Sequence, residues 1–133
     1  MNLLGSIKGT ELEEMINKLI TGEAMAAGMY FALSHIAKEQ GNDKVATLLA
    51  KIGADEARHS GLYSVLSGKV DEDIFTLLPM FLKEEQNAVL TIGALADKAQ
   101  ELKMNEVAQL IKDAAKDEEA HAKALENILK NRI

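Results

Sequence analysis

Glu56 and His59 stand three residues apart in ADEARH, residues 54–59, and Glu118 and His121 repeat that spacing in KDEEAH, residues 116–121. Side chains three apart share one face of a helix, so each pair brings a carboxylate and an imidazole to one place. Each pair also follows a further glutamate at one fixed interval: thirty-three residues separate Glu23 from Glu56, and thirty-three separate Glu85 from Glu118. Six such side chains offer oxygen and nitrogen donors of the kind that suit iron, manganese or zinc. The chain contains no cysteine, which excludes thiolate ligands, a thiol nucleophile and a disulfide framework.

The two sets belong to an internal repeat. A shift of sixty-two residues carries Glu23 onto Glu85, Glu56 onto Glu118 and His59 onto His121, and it also matches Ala37 with Ala99, Val45 with Val107, Ala46 with Ala108 and Asp55 with Asp117. Each glutamate interrupts an apolar stripe at helical spacing, as in Ile16, Ile20, Glu23, Ala27 and Tyr30. Four carboxylates gathered in an apolar interior lose hydration and repel one another. Two divalent cations would cancel their formal charge, with His59 and His121 as neutral ligands. One glutamate from each of two helices, with Glu-x-x-His from each of the other two, is the general ligand pattern of dimetal carboxylate bundles. In that arrangement Glu23 and Glu85 are terminal ligands, one for each metal, and Glu56 and Glu118 bridge. Open positions then face a small apolar space near Ala26, Ala27 and Ala88, which suits O₂ or peroxide better than a large substrate.

The elements that must position these residues are helical throughout. A first helix is expected over about 11–40, with Thr10 as N-cap, Glu13 completing a capping box and Gly41 ending it. A second runs over about 43–67, between the GND turn and Gly68. The connector GKVDEDIFTLLPM follows, with a short helix in DIFTLL and Pro79 in the first turn of a third helix that reaches about Gln100. ELKMN forms a turn, and a fourth helix spans about 105–130. Four long helices and little else predict an all-α four-helix bundle built from two repeated hairpins in a single domain over residues 1–133. Extended, residues 68–79 reach about 35 Å.

Composition excludes several classes. The formal net charge is −6 and the fifteen basic residues form no stripe, which argues against nucleic acid and against an anionic membrane as partners. No apolar run approaches the roughly 18 residues of a membrane span. The start, MNLLGSIKGT, lacks the layout of a secretory signal, and a cytoplasmic location is the expectation.

IKGT at 7–10, GEAMAAGMYFALSHIAKEQG at 22–41, ADEARH and KDEEAH together resemble the rubrerythrin family within the ferritin-like superfamily, across essentially the whole chain. The resemblance implies a diiron centre held by Glu23, Glu56, His59, Glu85, Glu118 and His121. It also implies a role for Tyr30 as the family's tyrosine beside the metals, and reduction of hydrogen peroxide as the activity. Family members often carry a four-cysteine rubredoxin domain as electron donor; with no cysteine here, an external donor such as a rubredoxin-like protein is expected. The family also places an additional glutamate three residues after the helix 3 ligand, where this chain has Ala88. The family fold has a long crossover between helices 2 and 3. The connector is also compatible with exchange of hairpins in a homodimer.

The remaining readings are an iron-handling or storage protein of ferritin type and a non-catalytic helical bundle. Beside the ligands, Tyr63 reads as core packing and His35 as a surface residue. Glu119, Asp55 and Asp117 read as surface charge. Glu84 takes the place of Glu85 if the third helix is rotated by one residue.

Overall fold

The computed structural model describes residues 2–133. The chain is all-α, with four helices and no strand among the described residues: α1 Leu12–Glu39, α2 Asp43–Leu66, α3 Leu78–Glu101 and α4 Asn105–Asn131. It divides into two compact units, one ending at Glu72 and the other starting at Asp73. Each unit is an antiparallel hairpin, α1 with α2 and α3 with α4. No helix is long and apolar enough to cross a membrane.

The punctuation of the sequence sets the helix ends. α1 closes through Gly41 at φ +73°, with the Gly41 N–H donating to the Lys38 carbonyl at 3.0 Å and the Asn42 N–H to the Ala37 carbonyl at 2.8 Å. This is the paired bonding of a left-handed helix stop. Asn42 then caps α2, its Oδ1 accepting from the Val45 N–H at 3.4 Å. Gly68, at φ +63°, follows the end of α2, and Pro79 lies in the first turn of α3. DIFTLL supplies a short 3₁₀ turn, Ile74–Thr76, capped by the Asp73 carboxylate, which accepts from the Phe75 N–H at 2.9 Å.

Two details depart from expectation. The capping box does not close on Thr10. Glu13 Oε2 instead accepts from the Gly9 N–H at 2.7 Å, while the Thr10 hydroxyl donates to the Ile7 carbonyl at 2.7 Å. The cause is long-range. The N-terminal segment is tied to the end of α2, Gly5 N–H to Val65 carbonyl at 2.9 Å and Ile7 N–H to Leu66 carbonyl at 3.3 Å, so the chain enters α1 already coiled. The connector is also shorter than its extended length, because residues 74–76 coil.

The repeat is visible in the backbone. The second turn bonds Lys103 N–H to the Gln100 carbonyl and Met104 N–H to the Ala99 carbonyl, which are the bonds of the first turn displaced by the repeat. Lys103 holds the position of Gly41, at φ +61°.

Small residues make the hairpin seams. Ala27, Ala37, Ala46 and Gly53 are buried in the first hairpin, and Ala96, Ala99, Ala108 and Ala122 in the second. At Gly53 the helices approach so closely that a Cβ would lie 2.9 Å from the Phe31 ring and 3.2 Å from the Ala27 carbonyl oxygen. The first hairpin adds two clasps: the Ser34 hydroxyl donates to the Ala46 carbonyl at 2.6 Å and the Ser60 hydroxyl to the Ile20 carbonyl at 2.8 Å. Ala96 and Ala122 occupy the matching positions of the second hairpin, which packs there without such bonds. Among the described residues no large side chain is fully buried. Helix stability in proteins comes mainly from packing an apolar face, and seams of alanine bury little of it.

Candidate metal centre

α1 and α2 run antiparallel, so Glu23, near the middle of one, meets Glu56 and His59, near the middle of the other. Donor atoms of these three residues all lie within 4.8 Å of one another. His59 Nδ1 is 3.4 Å from Glu56 Oε2 and 3.8 Å from Glu23 Oε2, and all three side chains are half-buried. α3 and α4 repeat the arrangement. Glu85, Glu118 and His121 bring donor atoms within the same 4.8 Å, with His121 Nδ1 at 3.2 Å from Glu118 Oε2 and 3.4 Å from Glu85 Oε2. His121 is the most exposed member of the two triads.

The second triad shows what this crowding does to protons. Glu85 donates a hydrogen bond to Glu118, and that bond, with desolvation and the Glu118 charge, holds the Glu85 carboxyl above its ordinary value. Glu118 accepts from Glu85 and from His121, which lowers it. His121 is raised, first by its bond to Glu118, against the opposing effect of burial, and further by Glu85. Crowding thus pushes the two carboxyl groups apart in acidity and favours the charged imidazole beside them. Two carboxylates and an imidazole converging in each hairpin are a donor set for a hard or borderline divalent cation, and the residues present fit a metal.

Neighbours of the triads turn outward. Glu119 pairs with Lys123 at 2.8 Å, Asp55 with Arg58 at 2.7 Å and His35 with Glu39 at 3.4 Å. Glu84 is exposed, and Glu85 is the glutamate of α3 in the triad. Tyr30 is half-buried two turns along α1 from Glu23. The tyrosine ring beside a triad residue is Tyr63, 6.4 Å between centroids from His59 and tilted 35° to it. Tyr63 therefore packs on the imidazole itself, a contact that its position four residues after His59 makes readable from the sequence. A cleft of 260 Å³ on the second hairpin, lined by Gln86, Val89, Glu119, Ala122, Lys123 and Glu126, contains no triad residue.

No family model matches the chain. It is 33% identical over 126 residues to an uncharacterized protein of Methanocaldococcus jannaschii, covering 95% of this chain and 89% of that protein. It is 30% identical over 129 residues to reverse rubrerythrin-1 of Clostridium acetobutylicum, covering 95% of this chain and 71% of the relative. With a Glu–Glu–His triad on each hairpin and this similarity along nearly its whole length, the chain belongs to the rubrerythrin-like family.

Proposed function

We propose that the chain is a non-haem diiron oxidoreductase that reduces hydrogen peroxide with electrons from a separate donor protein. The observation that carries the reading is the duplicated triad: each hairpin by itself gathers two carboxylates and an imidazole within 4.8 Å. Glu23 with His59 and Glu85 with His121 would each hold a metal ion, with Glu56 and Glu118 as the further carboxylate ligands. The four carboxylates would offset the charge of two divalent ions, whose charge would oppose the hydrogen bond, desolvation and repulsion that raise Glu85.

A pair of reduced irons supplies the two electrons needed to cleave an O–O bond. Peroxide reduction also takes up two protons and releases two waters. Tyr30 is the residue of this chain we assign to proton delivery. The Tyr63 ring lies beside the imidazole of His59, 6.4 Å between centroids. The electrons are assigned to a rubredoxin-like donor.

The test is stopped-flow oxidation of the reduced, iron-loaded protein under anaerobic conditions. Rapid oxidation by stoichiometric peroxide, outpacing O₂, together with turnover when a reduced donor is supplied, is the expected result. Iron-loaded protein that peroxide oxidises no faster than O₂ would overturn the peroxide assignment.

A further inference from the structure

The two triads are built alike but held differently. In the first hairpin Glu23 lies between Ile20 and Ala27 on α1, and Glu56 and His59 lie between Gly53 and Ser60 on α2. Both boundaries are direct contacts between the two helices. At one, the Ser60 hydroxyl donates to the Ile20 carbonyl at 2.8 Å. At the other, the helices come so close that a Cβ on Gly53 would lie 3.2 Å from the Ala27 carbonyl oxygen. Glu23 is about one turn of α1 from either contact, and Ser60 follows His59 directly in the chain. The spacing and register of α1 against α2 are therefore set on both sides of the triad.

The second hairpin lacks both contacts. Displacement by sixty-two residues turns Ile20, Ala27, Gly53 and Ser60 into Leu82, Val89, Ala115 and Ala122. Ala122 has no hydroxyl to offer the Leu82 carbonyl, and Val89 with Ala115 is a bulkier pair than Ala27 with Gly53. The seam beside the second triad carries a cleft of 260 Å³, with Val89 and Ala122 in its lining. Tyr63, whose ring centroid lies 6.4 Å from that of His59, has Leu125 as its counterpart.

The donors themselves do not separate the triads, since both are two glutamates and a histidine within 4.8 Å. The difference lies behind the donors. Metal binding orders its ligands, and a set already held at the required spacing gives up less freedom when the metal arrives. Residues that support a ligand set are worth about 10–100-fold in metal affinity.

We infer that Ser60 is a positioning residue of the metal centre: its hydrogen bond to Ile20 holds Glu23 against Glu56 and His59, so that the first triad takes up metal ahead of the second. The inference rests on the dimetal reading above and adds to it an order of loading. Histidine-ring NMR of the metal-free chain, titrated with Zn²⁺ alone, reads that order, because Zn²⁺ is diamagnetic and each imidazole reports its own ligation. His59→Gln and His121→Gln assign the signals. The His59 signals should move with the first equivalent and those of His121 with the second. Ser60→Ala should weaken the first step by about 10-fold and bring the two histidines into step. A role in stability alone would lower Tm and leave the order as it was. Ala122→Ser, which offers the second hairpin a hydroxyl for the Leu82 carbonyl, should bring the His121 response forward, and it decides the matter if Ser60→Ala does not fold. A wild-type chain in which His121 responds first, or with His59, would overturn the inference. So would a folded Ser60→Ala chain that keeps the wild-type order or, in its place, an Ala122→Ser chain with an unchanged interval between the two responses. Wild-type histidines that do not respond to Zn²⁺ at all would overturn the dimetal reading instead.

Discussion

His121 and Glu85 both hold their protons to a higher pH than such groups ordinarily do. The bond to Glu118 raises His121, and Glu85 is raised by its own bond to Glu118. Metal ligands bind deprotonated, so loading releases these protons and weakens as pH falls. The sign follows from the direction of the shifts. With His121 raised, the metal-free imidazole stays charged to a higher pH than an ordinary histidine, and affinity is lost as pH falls through that raised value. Glu85 adds a second loss further into the acid range. Calorimetric titration of metal-free protein with Fe²⁺, in buffers of different ionisation enthalpy, should show net proton release and weaker binding at pH 6 than at pH 7.5. Binding independent of pH across that interval would contradict the assignment of His121. Tyr30 carries a separate prediction. Tyr30→Phe should keep the full metal content and slow peroxide turnover by about 100-fold or more, the scale of positioned proton transfer. Unchanged turnover would return Tyr30 to a packing role.

Between the two hairpins, the same turn is made with different residues. Gly41 and Lys103 occupy equivalent left-handed positions, at φ +73° and +61°. A side chain there costs roughly 1–2 kcal/mol relative to glycine. Lys103→Gly should therefore stabilise the second hairpin by about 1 kcal/mol, raising Tm by about 3–4 °C for a chain of this size. Gly53 makes the opposite case. Its missing Cβ leaves room for the Phe31 ring and the Ala27 carbonyl. Gly53→Val should destabilise by about 1–3 kcal/mol through overpacking, measured by urea unfolding. The helices were legible from glycine, proline and asparagine because those residues act locally. Lys103 was not legible as a helix stop, because nothing in ELKMN announces a left-handed residue. The shifted Glu13 contact was hidden for another reason: it depends on bonds between Gly5 or Ile7 and the end of α2, which are far away in sequence.

At the scale of the molecule, the six triad residues were readable because the repeat states them twice, at one spacing, on faces that are otherwise apolar. The structure brings them together as two triads of three. The conformation of the link was not readable. Gly68 packs against Lys8, the Asp73 carboxylate caps the 3₁₀ turn, and the Arg132 guanidinium lies over the Phe75 ring. Each of these constraints comes from packing or coiling rather than from composition. The central claim is that paired metal ions compensate the four glutamates. Elemental analysis of protein purified without oxygen tests it most directly. The account predicts about two irons per chain, the load of a dimetal carboxylate site. A folded, helical protein that is free of metal and takes up none on anaerobic reconstitution with Fe²⁺ would contradict it.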